Sequence, residues 1–357
     1  MTWTSRALPV EEWPEADRTL WQKACASADD FLDEVGIAST WRPATRRNVQ
    51  EGYGHALFWL RRHGELDPTL APSSRWTAER LRRYVTEMRA CLKPSTIHVR
   101  LVTLEQMVRV IEPDADRSVL KRAKRATHAR PDWVRKRQRL RRPDELADFG
   151  MELMLDAENT TDRKWHLRAS DFRDGLIIAM LAYVPLRHRN MHGLEIGRHL
   201  VRRGVAWWIT IPGEEMKNHR PLEVEVPRFV VDALERYIEH WRPMLCRGRY
   251  TGTRLWVTFY GKPLKYKAFG HQVQTRTARE FGISIPPHAF RDAAATAIAL
   301  DDPGNFALAA SVLGHARLAT TQRYYTIAGS HEAATSFGQT LERLRSEAAN
   351  LDWEPAR

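Results

Sequence analysis

At 357 residues the chain has room for two domains that each bury a core, and a hydrophobic fraction of 43% is ordinary for a globular protein. No apolar run approaches the ~20 residues of a bilayer helix, the opening residues lack the apolar core of a secretory signal, and three cysteines without CxxC spacing argue against a disulfide frame or a zinc site, so a cytoplasmic location is expected. The formal charge of +12 attracts polyanions, although a cationic surface alone names no partner.

The first half reads as four or five amphipathic helices. Leu20, Trp21, Ala24, Phe31 and Leu32 predict a helix from Glu11 to about Gly36, where glycine supplies the stop. A second begins at Ser39-Thr40, with Pro43 in its first turn, and carries Val49, Tyr53, Ala56, Leu57 and Leu60 inward with Arg42, Arg46 and Arg47 on another face. Residues 66–76 read as a loop, Thr77 caps a third helix, and Lys93-Pro94-Ser95 opens a fourth. Residues 117–142 are dense in cations, among them Lys121, Arg122, Lys124, Arg125, Arg135, Lys136 and Arg137. An isolated run of this kind is usually a solvated linker. Joining two domains of a basic protein, it is expected to lie along a phosphate backbone, with Arg42, Arg46 and Arg47 as further phosphate contacts.

Pro143-Asp144-Glu145 opens the second half, and a strongly apolar helix over Asp171–Val184 ends at Pro185. Alternation of Val205, Trp207, Ile209 and Ile211, a polar tip, and return alternation of Leu222, Val224 and Val226 predict a hairpin with Lys217 near its turn. Val230–Trp241 reads as a helix, Leu255–Phe259 as a short strand, and Tyr266–Phe281 as a helix stopped by Gly282. Residues 287–325 then read as three short helices. The fold class is therefore mainly α with a small β-sheet, an α-helical domain at 1–138 preceding an α+β domain at 139–357 that ends in a helical tail at 326–357.

Several residue sets recur in an order that resembles the tyrosine recombinase (phage-type integrase) family. His288-Ala289-Phe290-Arg291 is similar to its HxxR box, and Leu313-Gly314-His315 is followed nine residues on by Tyr324, with Thr320 and Thr321 between. Pro185-Leu186-Arg187 resembles the box of the first arginine, and Lys217 the hairpin lysine. Singly, each has a plainer reading: Arg187 with His188, Arg189 and His192 as a solvated basic face, or Tyr324-Tyr325 as packing. Five features in one order outweigh five separate readings.

The resemblance implies an α-helical DNA-clamping domain and a catalytic domain that cleaves and rejoins DNA through a 3′-phosphotyrosyl link, without metal or other cofactor. Arg187 and Arg291 would clamp the phosphate with paired donors, His315 would add a donor, His288 would assist proton transfer, Lys217 would protonate the departing 5′-oxygen, and Tyr324 would attack. It further implies double-stranded DNA sites as partners, a homotetramer on DNA with an exchanged C-terminal helix, and room for accessory DNA-bending proteins. In place of the acid that the family carries three residues after the first arginine, this chain has Asn190, and helical spacing does not let Glu195 stand in for it. That departure keeps two other readings in play: a non-catalytic sequence-specific DNA-binding protein, and a type IB topoisomerase-like or hairpin-forming resolvase.

Overall fold

Several helices begin in the computed structural model where proline or a capping hydroxyl stands in the sequence; the structure describes residues 6–27, 35–128, 139–216 and 219–301. The chain divides into two compact units, Met1–Pro131 and Asp132–Arg357. The first holds α1 (Glu15–Cys25), α2 (Pro43–Arg62), α3 (Ala78–Arg89), α4 (Pro94–Ile111) and α5 (Ser118–Ala126). Pro43 and Pro94 take first-turn positions, where a missing N–H costs nothing. Thr77 accepts the Arg80 N–H at 3.2 Å.

The core of this unit lies between α2 and α4, with Tyr53, Leu57, Leu60, Leu101, Leu104 and Val108 buried. A buried ion pair crosses it: Arg75 donates to Asp17 at 2.6 and 3.1 Å, and Tyr53 donates to the same carboxylate at 2.6 Å. Two expectations change here. The first helix ends at Cys25, and Gly36 is the point of a return rather than a helix stop, its N–H donating to Ala26 O while Ala38 N–H donates to Ala24 O. The basic connector begins as a helix, α5, held by buried Leu120.

The second unit is built round α7 (Trp165–Tyr183), which is buried without a break from Asp171 to Ala182 and therefore shows no polar stripe. It starts six residues before the expected Asp171, because Trp165, His166 and Arg168 form a polar first turn. Around it lie α6 (Pro143–Asn159), α8 (His188–His192), α9 (Arg228–Arg236), which runs through a π turn at Tyr237–Trp241 into α10 (Arg242–Cys246), α11 (Tyr266–Phe281) and α12 (Pro287–Asp301). Arg276 on α11 donates to Asp171 and, at 2.9 Å, to Asp174, tying α11 to α7. Gly282, in the left-handed region at φ 67°, ends α11 where the sequence places its stop.

The expected mainly α fold with a small sheet is what the chain adopts. In place of a two-stranded hairpin there are three antiparallel strands, β1 (Leu200–Arg203), β2 (Ala206–Ile211) and β3 (Leu222–Glu225), with Leu200 opposite Ile209 and Ile209 opposite Val224. Val205 is not a strand residue: it sits in the β1–β2 turn, 84% exposed. Leu255–Phe259 forms no strand among the described residues. Its first three residues, Leu255 to Val257, are buried and joined to the fold by single bridges, with Trp256 Nε1 donating to Met191 O at 2.7 Å and Arg173 Nη1 donating to Val257 O at 2.8 Å, whereas Phe259 lies in an exposed turn. No described helix is long and apolar enough to cross a membrane.

Candidate active site

The site forms where α7 stops. Val184 leaves helical geometry, Pro185 and Leu186 are buried, and Arg187 becomes the N-cap residue of α8 in extended conformation. The Arg187 guanidinium is half-buried, and desolvation pushes its pKa down from the usual arginine value. Arginine remains a cation under such a shift, so burial concentrates its field. From the opposite side, α12 brings Arg291, whose Nη1 donates to the carbonyl of Pro185, two residues before Arg187. Two boxes more than a hundred residues apart in sequence are thus joined by a direct hydrogen bond. His288 is exposed in the first turn of α12, anchored by its buried neighbours Ala289 and Phe290.

The neighbours of Arg187 depart from the solvated basic face that their composition suggests. His188 stacks on Tyr266 with ring centroids 3.9 Å apart and 15° between planes, and on Phe269 at 5.2 Å. A Cβ on Gly270 would lie 2.9 Å from His188 Cε1, so that position has to be glycine while the ring stays. Burial first, then the positive fields of His192 and, to a lesser extent, His288, push the His188 pKa down to about 4; its hydrogen bond with the Tyr266 backbone opposes this. With its pKa so far down, the ring is neutral at ordinary pH. One turn on, His192 Nε2 donates to Leu264 O at 2.7 Å, just before α11, and its ring meets Tyr266 edge-on at 5.6 Å, so both histidines fasten α8 to the start of α11.

Asn190 turns toward the hairpin, its Nδ2 donating to the thioether of buried Met216. Met216 precedes Lys217, which lies outside the described residues. The base of that tip is braced by Glu215, paired with Arg198 and, at 3.2 Å, with His199. Glu195 serves elsewhere: it pairs with Arg254 at 3.5 Å, while Arg254 Nη1 donates to Gly193 O. His315 and Tyr324 also lie outside the described residues.

In the first unit, Arg47 on α2 and Lys121, Arg122 and Arg125 on α5 are exposed. Two expected phosphate contacts are engaged internally: Arg46 donates to Ala38 O at 3.0 Å and to Ser39 O, and Lys124 donates to Glu105 at 2.8 Å. Arg42 is partly exposed; Arg135, Lys136 and Arg137 lie outside the described residues. Sequence reading missed Tyr266, Phe269 and Gly270 as parts of this site. Their i, i+3, i+4 spacing on α11, facing the i, i+4 histidines of α8, was the available signal.

The family model described as "Phage integrase family" matches residues 147–331, more than half of the chain. A tyrosine recombinase XerD of Listeria monocytogenes is 33% identical over 110 residues, 30% of this chain and 36% of the relative. A tyrosine recombinase XerC of Bifidobacterium longum subsp. infantis is 35% identical over 120 residues, 31% of this chain and 32% of the relative. The chain therefore matches about a third of the length of these curated relatives. A crystal structure of the XerH site-specific recombinase, bound to palindromic difH substrate in a post-cleavage complex, superposes with a TM-score of 0.56 at 15% identity, covering 93% of this chain and all of that one, which supports the fold. With its arginine boxes joined at one site and the family match spanning them, the chain belongs to the phage integrase family.

Proposed function

We propose that the protein is a site-specific DNA recombinase that breaks and rejoins strands through a covalent 3′-phosphotyrosyl intermediate on Tyr324. The observation that carries this reading is the hydrogen bond from Arg291 to the carbonyl of Pro185, which gathers both arginines and His288 at one half-buried site in a chain of this family. Negative charge that grows on the non-bridging phosphate oxygens meets paired, preorganised guanidinium donors, with His315 as a further donor. His288 carries the proton at the tyrosine hydroxyl and Lys217 supplies one to the departing 5′-oxygen. The reaction conserves the bond energy in the protein–DNA ester, so it calls for no cofactor. In this reading the unit before the basic connector clamps duplex DNA, and protomers assemble as a tetramer on paired sites. The similar proteins, tyrosine recombinases and a recombinase bound to its DNA substrate, support a DNA partner.

Nicked duplexes built from inverted repeats flanking the gene test this. The wild-type chain is expected to form a covalent adduct whose tyrosyl-DNA peptide maps to Tyr324 by mass spectrometry, absent in Tyr324→Phe and retained in Tyr325→Phe. The reverse pattern would move the nucleophile to Tyr325. Absence of any adduct on a duplex that the protein binds would leave a passive DNA-binding protein.

A further inference from the structure

At the end of α7 remote from Arg187, about 28 Å away by helical rise, aromatic rings and cations form a continuous row on the surface. Arg247 lies over the Trp165 ring at 5.3 Å. Trp165 meets His166 edge-on at 5.5 Å, His166 faces Phe259 at 5.5 Å, and Phe259 lies against Tyr260 at 3.9 Å. The row is open at its far end, where Phe259 is 36% and Tyr260 62% exposed. Two turns are locked together to build it. Gly261 has φ 68°, and a Cβ there would lie 2.4 Å from Cys246 O, so the turn carrying Phe259 and Tyr260 seats directly on the one carrying Arg247.

Cations predominate around the row, with the exposed Asp162 as an acid close by in sequence. Lys164, Arg249 and Lys262 flank it, all exposed, and no carboxylate pairs with these or with Arg247 among the described residues. Arg163, next to them, is committed to Asp171. Packing alone does not account for large rings left open to water beside uncompensated cations. Duplex DNA would use the cations but not the rings, because its bases are already stacked on one another. Unpaired bases use both: ring faces replace lost base stacking while the cations follow the backbone.

We infer that this surface, formed by Arg247, Trp165, His166, Phe259 and Tyr260, is a binding platform for single-stranded DNA, separate from the site of strand cleavage. The inference stands independently of Tyr324 chemistry.

Fluorescence anisotropy of labelled dT20, measured with the full-length protein at low salt and in the presence of saturating unlabelled blunt duplex, tests it. Wild type is expected to hold dT20 while the duplex is bound. The double variant Phe259→Ser/Tyr260→Ser is expected to weaken dT20 at least about tenfold, with duplex affinity unchanged. Tyr260→Phe, which keeps the ring, is expected to retain wild-type binding. Arg247→Ala and Tyr260→Ser alone, both at exposed positions, provide the same readout if the double variant does not fold. Displacement of dT20 by duplex from the wild type, unchanged dT20 affinity in the variants, or equal weakening of dT20 and duplex would each overturn the platform. A wild type that forms no tyrosyl adduct yet holds dT20 through these rings would instead reject the recombinase reading and leave the platform standing.

Discussion

His188 shows how one side chain next to Arg187 couples packing to pH. Its ring is held neutral between Tyr266, Phe269 and the open face of Gly270, with its pKa pushed down to about 4 from an ordinary 6.5. Because the folded value lies below the unfolded one, the associated stability is fully present above about pH 6.5 and is lost as pH falls toward about 4, where the unfolded chain binds a proton that the folded chain does not. His188→Phe keeps the stack and removes the titration. Urea unfolding midpoints of variant and wild type, measured from pH 7 to pH 4, should therefore change in the variant's favour as pH falls. The gain is expected to stay well under the full linkage of about 1.4 kcal/mol per pKa unit, because the half-buried ring is partly screened. Parallel curves would show that the ring is not held neutral.

Among the elements, α7 and α11 depend most on a charged joint. Asp171 and Asp174 are buried on α7, and Arg276 reaches both from α11, while Arg173 also donates to Asp174 at 3.0 and 2.6 Å. Burial alone would lower the Arg276 pKa, but the two carboxylates more than offset it and the pKa is raised. Without Arg276 the two carboxylates keep Arg163 and Arg173, so what is lost is the charge-assisted hydrogen bonds of one guanidinium rather than all compensation. Arg276→Met is thus expected to lower the unfolding free energy by about 1.5–3 kcal/mol in urea titrations followed by circular dichroism. A loss below about 1 kcal/mol would mean that the joint is solvated and weak. Since α11 also carries Tyr266 and Phe269, the same substitution should loosen the seat of His188.

For the whole molecule, the charge of +12 has an uneven use. Arg46, Lys124, Arg75 and Arg276 are engaged in internal contacts, whereas Lys121, Arg122 and Arg125 stand exposed along α5. The proposed duplex binding should weaken steeply with salt. Replacing all three α5 cations by serine should lower the slope of log affinity against log salt by about 0.9 for each phosphate that is no longer neutralised, up to about 3 in total. Fluorescence titrations between about 50 and 200 mM salt would measure it, conditions chosen so that the slope is well determined. An unchanged slope would remove α5 from the phosphate path.

The sequence by itself determined what is decided within a turn or two of chain. Pro43, Pro94 and Pro143 start helices, Thr77 caps one, Gly282 ends one, and the alternation round Trp207 and Ile209 makes strands, because capping, backbone φ and side-chain period act over a few residues. The order of the arginine boxes was equally legible, and so was the family that they resemble. Only the tertiary structure decided which of several equivalent polar groups go inside. Nothing local distinguishes Arg75, buried on Asp17, from the exposed Arg47, or His188, stacked under α11, from a solvated histidine. Local pattern also made a strand of Leu255–Phe259 and a strand residue of Val205, where the fold gives the one an isolated bridge rather than a ladder and needs a turn at the other. The burial of Arg75 and of His188 depends on partners tens of residues away, as the joining of Arg291 to Pro185 does, and a partner at that distance is supplied by packing rather than by periodicity.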